Sequence, residues 1–305
     1  MSEVEIIADY GDLCGECPVW DASTLCLYWT DLSGSRFYRY DRATNRSVVV
    51  STGFQVSGFR LNRAGGFVVA NNEGVWLWDG AAARVRICGQ VDAAPCQVND
   101  CIADPRGRLL TGTQFYDPAG GYALGKLIAV DTCGAVRVLD EGFHLANGLG
   151  FSPDARTLYF TDSIARRIYA YDYNAETAVA ASRRTLVQVP CEEGLPDGLA
   201  VDAEGFLWSA QWYGGCVVRY DPDGRLERRI AIPAKQTSSA AFGGADLDEL
   251  YITSAGHSEP TPVMPPGYDP DTGYFGGALF RTRVGIRGKP EFIADIRARA
   301  MEKAD

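Results

Sequence analysis

One polar position recurs along this chain in a repeated setting, and it carries Glu16, Ser57, Asn99, Asn147, Asp197 and Ser238. The clearest copies are Leu195-Pro196-Asp197-Gly198-Leu199, Ala146-Asn147-Gly148-Leu149-Gly150 and Val98-Asn99-Asp100-Cys101-Ile102, which align without gaps. Weaker copies lie at Gly15-Glu16-Cys17-Pro18, Val56-Ser57-Gly58-Phe59 and Thr237-Ser238-Ser239-Ala240. Two carboxylates and two carboxamides brought together are costly to bury unpaired. A divalent cation resolves that cost. Side-chain oxygens of this kind suit Ca²⁺, Mg²⁺ or Mn²⁺, and Zn²⁺ is also accommodated. The alternative is a water-filled site whose polar groups bond to solvent and to one another. A sparse set of protein ligands leaves coordination positions for water and substrate, as metal-assisted hydrolysis requires.

The elements that must position these residues are short strands. After each copy comes an apolar run opening on aromatic or β-branched residues, such as Leu25-Cys26-Leu27-Tyr28-Trp29, Thr157-Leu158-Tyr159-Phe160 and Phe206-Leu207-Trp208. A third run alternates with period two, as in Arg36-Phe37-Tyr38-Arg39-Tyr40-Asp41 and Cys216-Val217-Val218-Arg219-Tyr220-Asp221. These end in turn sequences such as Asp221-Pro222-Asp223-Gly224, where proline presets φ and glycine accepts positive φ. A fourth run closes the unit, clearest at Ser47-Val48-Val49-Val50. Units begin roughly 40 to 50 residues apart, a period that means blades, solenoids or arrays. Six such units, each of four antiparallel strands, predict an all-β, six-bladed β-propeller occupying residues 1–305 as one domain.

That topology places the recurring position at one mouth of the central channel. Loops between second and third strands return to the same mouth, carrying Asp31, Asn71, Gln114-Phe115-Tyr116, Asp162-Ser163, Gln211-Trp212-Tyr213 and His257-Ser258. Two long stretches, 114–124 and 255–275, are candidate pocket walls. Val4-Glu5-Ile6-Ile7-Ala8 and Pro290-Glu291-Phe292-Ile293 both resemble strands, and either could be the outer strand of the last blade; pairing the amino-terminal one there would close the ring.

Composition bounds the partners. With 46% hydrophobic and 22% charged residues, the chain reads as a soluble globular protein with a large core. A net charge of −10 argues against a nucleic-acid partner. No apolar run approaches the roughly 20 residues that span a bilayer, and the Met1-Ser2-Glu3-Val4-Glu5 start lacks signal-peptide character. A cytoplasmic protein, monomeric or weakly self-associating, with no membrane contact is expected. Nine cysteines, an odd number, read as reduced structural thiols rather than a disulfide framework. Cys14-Gly15-Glu16-Cys17 has CxxC spacing, but His144 and His257 are the only histidines available to complete a zinc site.

Taken together, Gly15-Glu16-Cys17-Pro18-Val19-Trp20, Asn99-Asp100, Asn147-Gly148-Leu149, Pro196-Asp197-Gly198 with Asp202-Ala203-Glu204-Gly205, and Gly276-Gly277-Ala278-Leu279-Phe280 resemble the gluconolactonase family that includes senescence marker protein 30 and the luciferin-regenerating enzymes. The resemblance covers nearly the whole chain. It implies a six-bladed propeller that hydrolyses sugar lactones with one divalent metal. Residue by residue it implies Glu16, Asn147 and Asp197 as metal ligands, Asn99 as a substrate contact or fourth ligand, and Asp197 as the catalytic base. Gln97 stands where the animal lactonases have arginine, and Gly121, beside Tyr122, where they have an acidic residue. Gln97, Asn99, Tyr122 and Trp212 are therefore the expected substrate contacts, in a pocket more apolar than a gluconolactonase's. Two other readings stay open. One is a Ser-His nucleophile, although no serine is placed beside His144. The other is a metal-binding propeller that recognises a ligand or protein without turnover.

Overall fold

A computed structural model of the chain describes residues 3–117, 121–256, 263–269 and 271–297. Among these residues all regular structure is strand, and no helix is long and apolar enough to cross a membrane. Six four-stranded antiparallel sheets stand around a central axis as the blades of a propeller. Their inner strands are Gly15–Asp21, Gly58–Leu61, Val98–Ala103, Ala146–Phe151, Leu195–Val201 and Thr237–Gly243, in blades 1 to 6.

Local chemistry explains the strand and turn pattern. At 221–224, the Asp221 carboxylate accepts from the backbone N–H groups of Asp223 and Arg225 at 3.0 and 2.8 Å, and Gly224 takes φ +81°. Such a side chain stands in for backbone pairing in the turn, and glycine adopts the positive φ without a Cβ clash. The core is divided into six apolar wedges, one at each blade interface. Between blades 1 and 6, for example, Trp29, Tyr38 and Tyr40 pack with Tyr251 and Leu279. Each blade packs both faces against neighbours, so closing the ring completes the last interface.

Closure uses the amino terminus. Glu5–Asp9 pairs antiparallel with Ala278–Arg283 as the outer strand of blade 6, and the Arg281 guanidinium meets the Glu5 carboxylate at 2.7 Å. The competing segment, Pro290 to Ile293, forms no strand. It belongs instead to a strap that crosses the mouth opposite the recurring polar residues, touching blade 5 at Ala203, blade 6 at Leu247, blade 2 at Asn62 and blade 3 at Gly107. Asn62 docks it with two hydrogen bonds, accepting from Ile296 N and donating to Ile296 O, each at 3.0 Å. The strap helps to wall a chamber of about 550 Å³, lined by apolar inner-strand residues such as Val19, Ile102, Leu149 and Leu199 and by the charged Arg60, Lys289 and Glu291.

The stretch after Gln114 also differs from a plain loop. Phe115–Asp117 and Gly121–Ala123 pair as a small hairpin, with Tyr116 opposite Tyr122. Of the mouth loop expected at His257-Ser258, both residues lie outside the described ones.

Candidate functional site

The recurring polar residues sit where the inner strands are irregular. Register slips between Glu16 and Val19, Val98 and Cys101, Asn147 and Leu149, Pro196 and Leu199, and Thr237 and Ser239. A bulge leaves a residue unpaired and turns its side chain off the regular pleat. In blade 2 the pairing runs from Gly58 to Leu61 without a slip, and Ser57 lies before it.

Glycine follows three of these positions for a reason of space. A Cβ on Gly148 would lie 2.4 Å from the Asp197 carbonyl oxygen, one on Gly198 2.1 Å from Ser239 Oγ, and one on Gly58 2.8 Å from the Asn99 carbonyl oxygen. Absence of a side chain lets neighbouring inner strands close up directly beside the polar residues. The Asn-Gly and Asp-Gly pairs thus couple a functional side chain to the narrowing of the channel.

Four of the six residues meet. Glu16, Asn99, Asn147 and Asp197 line one pocket of about 200 Å³ with Tyr122 and Trp212; Cys14, Leu32, Gln114, Leu145, Ser163, Ile164 and Leu195 complete its wall. Ser57 and Ser238 are not part of this lining. Ser238 donates to the Gly15 carbonyl and shares a 2.9 Å bond with the Thr253 hydroxyl, while Ser57 Oγ is buried with no partner among the described residues.

Gln97 is not brought to the wall either. Its carbonyl accepts from Gln114 N at 2.9 Å, and it is Gln114 that lines the pocket. Phe115, Tyr116 and Tyr213 also lie off the lining, and Tyr116 is 56% exposed. Among the described residues, Tyr122 and Trp212 are the two aromatic residues on it.

Two aspartates expected near the ring prove to be supports. Asp162 accepts from His144 N and Leu145 N at 3.0 and 3.3 Å, holding the segment that leads into Asn147. Asp31 does the same for Leu13 N and Cys14 N, at 3.2 and 2.9 Å, ahead of Glu16. The His144 ring packs near Asp162 and is not on the pocket wall.

Hydrogen bonds fix the carboxamides. Asn99 Nδ2 donates to Ala146 O and to Asn147 Oδ1, each at 2.9 Å, which uses both of its hydrogens. Asn147 Nδ2 donates to Ser163 Oγ at 2.9 Å, and that hydroxyl donates to Pro196 O at 2.6 Å. Asn99 is therefore left with its oxygen as the free group, while Asn147 keeps one amide hydrogen and the second lone pair of an oxygen that already accepts from Asn99.

Electrostatics sharpen the picture. Burial pushes the Glu16 carboxyl well above the usual carboxylate range, and the nearby Asp197 and Asp100 push it further. Burial does the same to Asp197, with Asp100 adding to it. Asp197 is 4% exposed and its Oδ1 finds no hydrogen-bond partner among the described residues. Among the described residues no three His, Cys, Asp or Glu side chains are arranged to hold a metal ion by themselves. The available set is two carboxylates and two carboxamide oxygens, a hard-oxygen set that fits a divalent cation. An unpartnered buried carboxylate oxygen beside a second carboxylate is the arrangement such a cation would relieve.

Residues 14–256 match the family model described as the SMP-30/Gluconolactonase/LRE-like region. The chain belongs to this family. A pentonolactonase, XacC, from Haloferax volcanii is 38% identical over 95% of this chain and 98% of its own length. A 6-deoxy-6-sulfogluconolactonase from Pseudomonas putida is 33% identical over 91% of this chain and 93% of its own length. Among solved structures, a calcium-binding protein, regucalcin, from Agrobacterium tumefaciens superimposes with a TM-score of 0.82 at 26% identity, covering 97% of this chain and 98% of that one. These family relatives match the propeller over nearly its whole length, so the mouth pocket lies inside the shared region.

Proposed function

We propose that this chain is a metal-dependent lactonase that opens a small sugar lactone to its hydroxy acid. The observation that carries the reading is the convergence of Glu16, Asn147 and Asp197, with Asn99 beside them, on one mouth pocket. The lactonase names of two full-length relatives support the substrate class.

Glu16, Asn147 and Asp197 would hold one divalent cation, Ca²⁺, Mn²⁺, Mg²⁺ or Zn²⁺, and the calcium-binding neighbour supports this class of ion. When bound, the cation supplies Lewis-acid polarisation of the ring carbonyl and charge to stabilise the oxyanion. The residues do the rest. Asp197 takes a proton from the attacking water as the water oxygen bonds to the carbonyl carbon. The ring C–O bond then breaks, and the departing alkoxide recovers a proton. Asn99 presents its oxygen to a substrate hydroxyl or to the cation, since both of its amide hydrogens are spent. Leu32, Leu145, Ile164 and Leu195 exclude bulk water from the wall, while Tyr122 and Trp212 flank the sugar.

The test is proton release at constant pH across a panel of aldonolactones, with and without EDTA. Chelator-sensitive release supports the reading. Binding of a cation with no turnover of any lactone would replace it with a non-catalytic metal-binding propeller.

A further inference from the structure

The pocket's hydrogen-bonding groups are unevenly placed. Asn99 offers oxygen only, Asn147 an oxygen and one remaining amide hydrogen, and Glu16 and Asp197 are carboxyls, so acceptors outnumber donors in this part of the lining. Donors come from Gln114, Tyr122 and Trp212, all half-buried on the wall. Among the described residues no side-chain hydrogen bond occupies the Gln114 carboxamide, which leaves both its donor and its acceptor to a ligand.

No Lys, Arg or His lines the pocket among the described residues. The guanidinium of Arg166, two residues from Ile164, is committed to the carbonyls of Glu193, Gly194 and Val263 at 3.1, 3.0 and 2.6 Å. An anionic substituent carried away from the reacting carbonyl would lose hydration without meeting a side-chain cation. A hydroxyl, which donates once and accepts, is matched by a carboxamide.

We infer that the pocket selects uncharged polyol lactones over anionic ones, and that Gln114 is the specificity-determining residue that reads a hydroxyl remote from the carbonyl. This rests on the lactonase reading. It sets the chain apart from a pocket that must hold a sulfonated sugar, as the name of the Pseudomonas putida relative implies for that protein. It also moves the role expected of Gln97 to a residue that is on the wall.

The experiment compares D-xylono-γ-lactone with its 5-deoxy-5-sulfo analogue in the full-length, metal-loaded protein. A sulfonate is a weak metal ligand, so the comparison reports charge at the wall. The neutral lactone is expected to be preferred by at least about tenfold in kcat/KM, a ratio that Gln114→Arg narrows by about tenfold. Gln114→Met should raise KM for the neutral lactone by about tenfold with kcat little changed, and more than Gln97→Met does. Equal use of the two lactones, or a ratio unmoved by Gln114→Arg, overturns the inference. If no lactone is turned over with any cation, the lactonase reading falls separately. Charge selection is then decided by calorimetric binding of ribitol against 5-deoxy-5-sulforibitol: tighter binding of ribitol supports it, and equal or tighter binding of the sulfonate overturns it.

Discussion

Asn99 Nδ2 lies 2.9 Å from Asn147 Oδ1 and so bonds blade 3 to blade 4 across the mouth of the channel. The bond fixes the orientation of the Asn147 carboxamide, whose oxygen accepts from Asn99 while its Nδ2 donates one hydrogen to Ser163. Asn99 is thus placed to orient a proposed metal ligand as well as to contact substrate. Partners of this kind typically govern metal affinity by about 10- to 100-fold. Asn99→Leu should therefore weaken cation binding by about tenfold or more, read by titration calorimetry with Mn²⁺ or Ca²⁺. Unchanged affinity would confine Asn99 to the substrate side.

Asp197→Asn separates the ligand role from the base role. A carboxamide still offers an oxygen to a cation but cannot accept the proton of the attacking water. With cation saturating, kcat should fall by about 10² to 10⁴ while binding weakens far less. A variant that keeps most of its kcat at saturating cation would leave Asp197 as a ligand alone.

The fold and much of this site could be read from the chain because each rests on local repetition. Period-two runs with Asp-rich turns predict strands, and six repeats predict the propeller, whose ring closes on Glu5–Asp9 as one reading held. The bulges at five of the six recurring positions are not legible in the sequence, since register depends on the partner strand. Repetition alone puts Ser57 and Ser238 in the same register as the other four, whereas Ser238 is drawn into bonds with Gly15 and Thr253. Gln97, two residues before Asn99, stands where the resemblance implies a substrate contact. The backbone bond from Gln114 N to Gln97 O pairs the segments, and Gln114 is the one on the wall. The strap was illegible because the residues flanking Pro290 to Ile293 find their partners in four different blades, Arg287 at Ala203, Gly288 at Leu247, Ala294 at Asn62 and Asp295 at Gly107.

Glu249 should shape the acid limb of stability. It is 1% exposed; burial raises its pKa, but hydrogen bonds from Arg42, Arg283 and Tyr251 outweigh that and hold it at about 2, below the ordinary value of 4.5. A carboxyl whose folded pKa is depressed stabilises the fold above its unfolded pKa and loses that contribution as pH falls through the folded one. The contribution is complete above about pH 4.5 and gone below about pH 2. Urea midpoints measured against pH should show the gap between wild type and Glu249→Gln shrinking across that window. A gap independent of pH would mean the residue acts through packing alone.

Asn62 tests whether the strap contributes to the fold. Its carboxamide satisfies both backbone groups of Ile296, and Asn62→Ala would leave them without that partner. Loss of such buried partners costs about 1 to 3 kcal/mol each. A drop of that size in unfolding free energy, with faster amide exchange at Ile296, is expected. No change in either would make the strap a passenger.

Gly148 links the channel's narrowing to its chemistry most directly. It follows Asn147, and a Cβ there would sit 2.4 Å from the Asp197 carbonyl oxygen and 2.6 Å from Leu199 N, both main-chain atoms that cannot rotate aside. Gly148→Ala must push the inner strands of blades 4 and 5 apart, moving Asn147 relative to Asp197. Overpacking of this kind costs about 1 to 3 kcal/mol in stability. The neighbouring Gly150→Ala meets the Val201 Cγ2 atom at 2.7 Å, a side chain that can turn away, so its cost should be smaller. Cation affinity should follow the same order, falling clearly in Gly148→Ala and little in Gly150→Ala, because only the first change lies against the backbone of Asp197. Comparing the two variants by calorimetry and urea denaturation checks this, and equal effects on cation binding would break the proposed coupling between strand spacing and the metal ligands.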